Sequence, residues 1–266
     1  MTRLSLPLLM GALAACGNTG SALVRFHAAA AGPSDAVAGQ PLVFPGLQPP
    51  GASAAYEVTL TRARLHIGAV YLNRSRPISG AQAEPCILPG IYAGQVTSPV
   101  DVDALSPATQ PFPADGEGTA DTAYTGEIWL FGSDVNATDD PTPLVEVAGS
   151  AALNGTTYPF IGQFHVGANR AVTVTDPALP GAFPLCKQRI VTGIGIDITL
   201  AQGGTLVVRI DPRLWFSNVD FANVPLDTDP AAPAGQRKFV DSLQAQPDLY
   251  GSILGSNAYT FHWQGP

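Results

Sequence analysis

The sequence predicts an all-β fold: a single antiparallel β-sandwich with long Pro/Gly-rich loops and a short C-terminal helical segment. Charged residues make up only 13% of the 266 residues, about half the usual share, and the chain contains 28 glycines and 25 prolines. Runs of alternating apolar and polar residues recur along the chain, as in strands with one buried face. No repeat or linker divides the chain, so residues 22–266 are predicted to form one domain.

In the first half of the chain, strands are predicted at Ala22–Ala28, at Pro41–Phe44 and along the longest alternating stretch, Tyr56–Leu72. The apolar positions of that long stretch change parity near Arg62, which indicates a β-bulge or a break into two strands. The segment from Ser75 to Ala123 is rich in proline and turn residues and is predicted to be mostly loop.

The second half continues the alternating pattern. Strands are predicted at Ala123–Phe131, Leu144–Leu153, Thr156–Val166, Ile190–Leu200, Thr205–Ile210 and Tyr259–Trp263. Gly203-Gly204 lies between two of these strands and predicts a tight hairpin. Phe239, Val240 and Leu243 have helical spacing, which predicts a helix over Gln236–Gln244. One further helical turn is predicted over Pro247–Leu254.

The N-terminus has the features of an export signal. Arg3 and a short apolar run precede Leu13-Ala14-Ala15-Cys16-Gly17, and the run is too short for the roughly 20 residues that span a bilayer. A cysteine directly after small residues resembles the lipobox of bacterial lipoproteins. The resemblance implies removal of residues 1–15, acylation of Cys16, for example with palmitate, and a short tether over residues 16–21. An ordinary signal peptide with an unmodified cysteine is the alternative.

The same resemblance bears on location. Gly17 differs from the aspartate that resembles an inner-membrane retention signal, so the outer membrane of a Gram-negative bacterium is favoured.

If Cys16 carries lipid, Cys86 and Cys186 are the remaining thiols. An exported protein enters an oxidising compartment, so a disulfide between Cys86 and Cys186 is predicted. A pair of metal-binding thiols is the alternative, but the C-x-x-C spacing is missing.

The four histidines lie in predicted strands, and each shares side-chain parity with polar neighbours. They are His27, His66, His165 and His262. One interpretation is that they are solvated or hydrogen-bonded strand residues. The other is that two or three of them, with His27, His66 and His262 favoured, converge to bind copper or zinc, which imidazole suits. No local spacing such as H-x-x-x-H supports the second interpretation.

One predicted strand adds a family resemblance to the copper hypothesis. The segment Thr61–Leu72 is similar in pattern to a strand of the secreted copper-binding β-sandwich proteins encoded beside methanobactin genes. This resemblance covers a dozen residues and lacks the four-cysteine pattern of that family. It implies copper binding as a possible activity, and no binding residue is transferred from it.

Other residues allow further chemistry. Trp215, with aspartates and an arginine nearby, is interpreted as a core anchor, with sugar stacking as the alternative, and Trp129 as packing. Two acidic runs contain the oxygen ligands that Ca²⁺ prefers but lack the EF-hand order, so they are also interpreted as turns. The runs consist of Asp134, Asn136, Asp139 and Asp140, and of Asp115, Glu117 and Asp121.

Charge and motifs limit the function. The net charge is −8 and the only lysines are Lys187 and Lys238, so a nucleic-acid surface is not expected. The sequence contains no G-x-S-x-G, H-E-x-x-H or phosphate-loop motif. The leading expectation is therefore a non-catalytic, lipid-anchored envelope protein that acts as a binding or structural module. The alternatives are a copper- or other transition-metal-binding protein and a carbohydrate-active enzyme.

Overall fold

The computed structural model describes residues 21–75, 91–135, 137–171, 185 and 188–266. The predicted lipidation site Cys16 and the predicted disulfide partners Cys86 and Cys186 lie outside these residues, as does Asn136. The described residues form fifteen strands and one short α-helix, α1, at Leu249–Ile253.

The strands are, in chain order, β1 (Leu23–Ala31), β2 (Leu42–Pro45), β3 (Glu57–Ile67), β4 (Ala69–Asn73), β5 (Tyr92–Val96), β6 (Val100–Asp103), β7 (Gln110–Pro111), β8 (Gly116–Thr119), β9 (Thr122–Trp129), β10 (Asp140–Leu153), β11 (Thr156–Val166), β12 (Ile190–Thr199), β13 (Thr205–Ile210), β14 (Arg237–Lys238) and β15 (Tyr259–Gln264).

Two sheets pack together, which confirms the predicted all-β fold. The large sheet has nine strands in the order β12-β9-β4-β5-β8-β1-β13-β15, with β7 also paired to β1. The small sheet has six strands in the order β14-β11-β10-β3-β2, with β6 also paired to β3. Most pairs are antiparallel as predicted, but β1 pairs with β13, and β11 with β14, in parallel.

Several predicted strands are confirmed, including β11 and β13 at their predicted ends. The predicted bulge in the long stretch is also confirmed. Arg62 is opposite Ala148, but the next paired residue, Leu60, is opposite Gly149, so Thr61 is the extra residue. The stretch breaks into β3 and β4 six residues later, at Gly68. A Cβ at Gly68 would lie 2.5 Å from the carbonyl oxygen of Phe131, so only glycine fits there.

The predicted hairpin at Gly203-Gly204 is wrong. β12 pairs with β9, whereas β13 pairs with β1 and β15. The two glycines instead bind β1, because the N–H of Gly203 donates to the carbonyl of Arg25 and the N–H of His27 donates to the carbonyl of Gly204. The turn thus passes the chain to a different part of the large sheet.

The prediction of mostly loop between Ser75 and Ala123 is wrong for the described part of that segment. It contains β5, β6, β7 and β8, none longer than five residues. β7 and β8 hold only one β-branched residue between them, Thr119, so they depend on pairing with neighbouring strands rather than on local propensity. The acidic run around Glu117 is one of them, inserted between β5 and β1.

The predicted helix over Gln236–Gln244 is also wrong. Arg237–Lys238 form β14, and the N–H of Phe239 donates to the carbonyl of Ile161 in β11. Phe239 is buried among Phe160, Phe216 and Phe221, so its apolar contacts are made from extended chain. The helical turn predicted over Pro247–Leu254 is confirmed by α1.

The core lies between the sheets and is closed at one end by irregular segments. Two 3₁₀ helices, Pro212–Phe216 and Phe221–Asn223, place their aromatic side chains there. Trp215 is completely buried, which confirms its interpretation as a core residue. In the part of the chain that the structure describes, no helix is long and apolar enough to cross a membrane.

Candidate ligand-binding site

The four histidines point away from the core, as their parity predicted, but they divide between the two sheets. His27 and His262 lie in the large sheet, and His66 and His165 lie in the small sheet. Three of them pair through Nδ1 with a carboxylate of their own; the pairs are His27–Asp115 at 2.9 Å, His66–Asp101 at 2.7 Å and His165–Asp241 at 2.7 Å. Nε2 of His262 is 3.2 Å from the Thr260 hydroxyl.

These positions bring no three histidines together. Among residues 21–75, 91–135, 137–171, 185 and 188–266, no group of three or more His, Cys, Asp or Glu side chains is placed to hold a metal ion. Copper or zinc binding by the histidines therefore stays a prediction, without support from their placement.

The acidic run of Asp115, Glu117 and Asp121 is dispersed. Asp115 contacts His27, Glu117 accepts a hydrogen bond from Gln95, and Asp121 pairs with Arg74. In the other run, Asp140 is buried and accepts hydrogen bonds from the backbone N–H groups of Gly132, Ser133 and Thr142 at 2.8, 3.2 and 3.1 Å. These contacts make Asp140 a structural carboxylate that holds the preceding loop.

A continuous row of polar and aromatic side chains crosses the outer face of the large sheet. Five strands are paired in register at this level, so the side chains project from the same face of the sheet. The row consists of Glu127 on β9, Tyr71 on β4, Gln95 on β5, Glu117 on β8 and Arg25 on β1. At about 4.8 Å between neighbouring strands, the row is about 19 Å long.

A groove lies over one end of this row. Its volume is about 630 Å³, within the range of ligand pockets. The lining residues are Leu23, Val24, Arg25, Tyr92, Ala93, Gly94, Gln95, Glu117, Gly118, Thr119 and Gln202. Two glycines on the strands beneath it have no room for a side chain. A Cβ at Gly118 would lie 2.3 Å from the carbonyl oxygen of Ala93, and one at Gly94 would lie 2.6 Å from Leu200.

The polar groups of the groove are only partly satisfied by one another. The amide of Gln95 donates to the Glu117 carboxylate at 3.0 Å. The side-chain oxygen of Gln202 accepts a hydrogen bond from the backbone N–H of Arg25 at 2.9 Å, which fixes one wall. The guanidinium of Arg25 is exposed and has no hydrogen-bond or ion-pair partner among the described residues. The groove thus offers both free donors and free acceptors.

Aromatic side chains form the other end of the face. The ring of Tyr71 lies between those of Tyr92 and Trp129, with centroid distances of 4.8 and 4.7 Å. Tyr92 is 37% exposed and lines the groove. Burial, with smaller contributions from Glu127 and Tyr71, raises the pKa of Tyr92 to about 12, so its hydroxyl remains protonated. Trp129, predicted to be packing, is half-buried and belongs to this aromatic group.

Glu127 is the buried member of the row, with only 2% of its surface exposed. It accepts hydrogen bonds from the Asn73 amide at 2.8 Å and from the Trp129 indole N–H at 3.1 Å. Burial raises the pKa of Glu127, and these two hydrogen bonds offset the shift only in part. Glu127 is therefore easier to protonate than an exposed glutamate.

A second cleft, of about 590 Å³, lies on the small sheet around His66. Arg64 is in register between Glu146 on β10 and Asp103 on β6, so opposite charges alternate across three strands. His66 is opposite Asp101 and binds it, and its Nε2 is buried without a hydrogen-bond partner. The charged side chains of this cleft thus face opposite charges on the neighbouring strands.

The groove was not predicted from the sequence. Gln95, Tyr92 and Glu117 lie in the segment predicted to be mostly loop, and Arg25 lies in the predicted strand Ala22–Ala28 without a motif around it. A local signal existed for Glu127, since it lies inside a predicted strand directly before the apolar run Ile128–Phe131, whereas glutamate is usually exposed. No protein-family model matches the chain, and neither the curated proteins nor the solved structures contain a significant match.

Proposed function

We propose that this protein is a lipid-anchored, non-catalytic binding protein of the cell envelope whose ligand occupies the groove on the large sheet. The observation that carries the proposal is the in-register row at the groove, with partly unsatisfied side chains beside an exposed aromatic ring. Buried or paired side chains would suffice for stability alone. Polar groups that converge on a groove of about 630 Å³ and are only partly paired with one another are typical of a ligand site.

The chemistry of the groove favours binding over catalysis. Its lining combines amide, carboxylate, guanidinium and phenol groups, and the lining residues that the structure describes include no serine, cysteine or histidine. Arg25 and Glu117, the ionic side chains among the described lining residues, are both exposed. These features suit recognition through hydrogen bonds and aromatic contact.

The sequence supports membrane attachment at Cys16 through its lipobox resemblance. Leu23, at one end of the groove, follows Cys16 by only seven residues, which span at most about 25 Å when extended. If Cys16 is acylated, this end of the groove lies close to the membrane surface. The outer membrane is favoured because Gly17 stands where an inner-membrane retention signal would have aspartate.

Attachment is tested by replacing Cys16 with serine. We expect the Cys16→Ser protein to leave the membrane fraction and to lose labelling by an alkyne-tagged palmitate probe, whereas a Ser21→Ala control should behave as the wild type does. Membrane retention of Cys16→Ser with unchanged palmitate labelling would refute the anchor.

Ligand binding is tested without assuming the ligand. Leu23, 85% exposed at the groove, is replaced by photoreactive benzoylphenylalanine in intact cells, and Val43, 57% exposed on the small sheet, gives the matched control. We expect irradiation to produce a discrete adduct from position 23 and none from position 43. Equal adduct formation at both positions, or none at position 23, would refute a ligand site in the groove.

A further inference from the structure

We infer that the ligand of the groove is an uncharged saccharide chain, with one sugar ring stacked on Tyr92 and its hydroxyls bound by Gln95, Glu117 and Arg25. This inference rests on the proposed function and names the class of ligand that the groove takes. It follows from the aromatic wall, the polar groups, their charge balance and the pairing of the strands.

The aromatic wall fits the apolar face of a sugar ring. A pyranose presents C–H groups on its faces and hydroxyls around its edge, so an aromatic ring binds the face while polar groups bind the edge. Tyr92 is exposed on the groove side and packs at 4.8 Å against Tyr71, which in turn packs at 4.7 Å against Trp129. The ring is thereby held in place before a ligand arrives, which lowers the entropic cost of binding.

The polar groups fit hydroxyls. A hydroxyl both donates and accepts hydrogen bonds, so it needs partners of both kinds. The bond from Gln95 to Glu117 orients both side chains and leaves the Gln95 carbonyl and a Glu117 oxygen as acceptors. The guanidinium of Arg25, opposite Glu117 on the neighbouring strand, supplies planar donors. Two adjacent hydroxyls of one sugar ring are spaced to bind the same planar group together.

The charges of the groove balance. Among the described residues that line it, Arg25 and Glu117 are the only ones with ionic side chains, and they carry opposite charges on paired strands. A strongly anionic ligand would meet Glu117, and a cation would meet Arg25, so a neutral ligand is preferred. The same balance argues against a metal ion and against nucleic acid.

The strand pairing argues against an extended peptide. Recognition of a peptide by strand addition requires an open sheet edge. At the groove, β8 pairs with β5 on one side and with β1 on the other, so the backbone there already has partners. A ligand must therefore bind the face of the sheet through side chains.

The test uses the purified full-length protein in detergent and isothermal titration calorimetry with four tetrasaccharides: cellotetraose, maltotetraose, chitotetraose and the acidic tetragalacturonate. We expect at least one neutral tetrasaccharide to bind. For that sugar, Tyr92→Ala should weaken binding about tenfold or more, and Tyr92→Phe should retain most of the affinity because the ring remains. Tyr124, 41% exposed on β9 and outside the groove, supplies the matched control, and Tyr124→Ala should bind as the wild type does.

Three results would overturn the inference: no binding of any neutral tetrasaccharide, binding of tetragalacturonate alone, or equal affinity of wild type and a folded Tyr92→Ala protein. Near-ultraviolet circular dichroism verifies the fold of each variant. The photo-crosslinking experiment at position 23 distinguishes a failure of the saccharide inference from a failure of the proposed binding function. A protease-sensitive adduct without saccharide binding refutes the saccharide and leaves a binding groove, whereas the absence of both refutes both.

Discussion

In the part of the chain that the structure describes, each sheet buries one carboxylate, and the surroundings shift the two pKa values in opposite directions. Glu127 on the large sheet is 2% exposed, and Asp140 on the small sheet is 1% exposed. Burial raises the pKa of Glu127, because two side-chain donors do not replace its hydration. Burial alone would also raise the pKa of Asp140, but the hydrogen bonds from Thr142, Gly132 and Ser133 outweigh it and lower the pKa.

The difference shows that the donors around a carboxylate, rather than its depth of burial, decide whether its charge persists. Backbone N–H groups are held by the fold and keep Asp140 ionised, so Asp140 acts as a structural anchor. Glu127 lies beside Tyr71 in the row that leads to the groove, and it has only an amide and an indole as donors. The face whose buried carboxylate has only two side-chain donors is also the face with the candidate ligand site.

The largest effect on stability is expected at Asp140. Asp140→Ala leaves three backbone N–H groups without their acceptor, which should lower the free energy of unfolding by about 3 kcal/mol in urea denaturation at pH 7. Asp140→Asn keeps one acceptor oxygen and should lose less. Because the folded-state pKa of Asp140 is lowered, its stabilisation is present above the ordinary pKa of 3.8 and is lost as the pH falls through the folded-state value. A loss below 0.5 kcal/mol for Asp140→Ala would contradict the anchoring role.

The second largest effect on stability is expected at Gly118, in the floor of the groove. A Cβ at Gly118 meets the backbone of Ala93, so Gly118→Ala must separate β5 from β8 and should cost about 2 kcal/mol of the free energy of unfolding. Gly195→Ala is the matched control, because a Cβ at Gly195 meets nothing within 4 Å. Urea denaturation of both variants tests this, and equal stabilities would show that β5 and β8 tolerate a wider spacing.

A smaller effect, opposite in sign to that at Asp140, is expected at Glu127. Its raised pKa means that the folded protein holds this proton more tightly than the unfolded chain does. Stability should therefore fall as the pH rises from the ordinary glutamate value of 4.5 through the folded-state pKa. Glu127→Gln mimics the protonated form, so it should match the wild type at pH 4 and become the more stable protein at pH 8. Urea denaturation of both proteins between pH 4 and pH 8 measures this difference in the free energy of unfolding. A difference that does not change with pH would contradict the raised pKa of Glu127 and its contrast with Asp140.

The smallest effect on stability is expected at Arg25. Its guanidinium is exposed and unpaired among the described residues, so Arg25→Ala should change the free energy of unfolding by less than about 0.5 kcal/mol. The same variant should weaken binding of the saccharide identified by calorimetry. A large loss of stability would instead assign Arg25 to the fold and count against its role in the groove.

The long strands could be predicted from the sequence because their alternation is local. β11 and β13 begin and end where predicted, and the parity change near Arg62 marks the bulge at Thr61. The short strands could not, because β8 contains two glycines and no β-branched residue before Thr119. Its glycines are needed for a non-local reason: a Cβ at Gly116 would lie 2.3 Å from the ring of Phe26. The candidate site was missed with those strands.

By itself, the sequence determined which face of each long strand is polar, including the outward direction of all four histidines, because successive side chains of a strand alternate between its faces. Only the tertiary structure decided which strands are neighbours. It placed the histidines in two different sheets, and it aligned Glu127 with Arg25, more than a hundred residues earlier in the chain, in one row. Strand order and register depend on hydrogen bonds between distant segments and on how the two sheets fill a shared core. No local pattern of residues encodes those contacts.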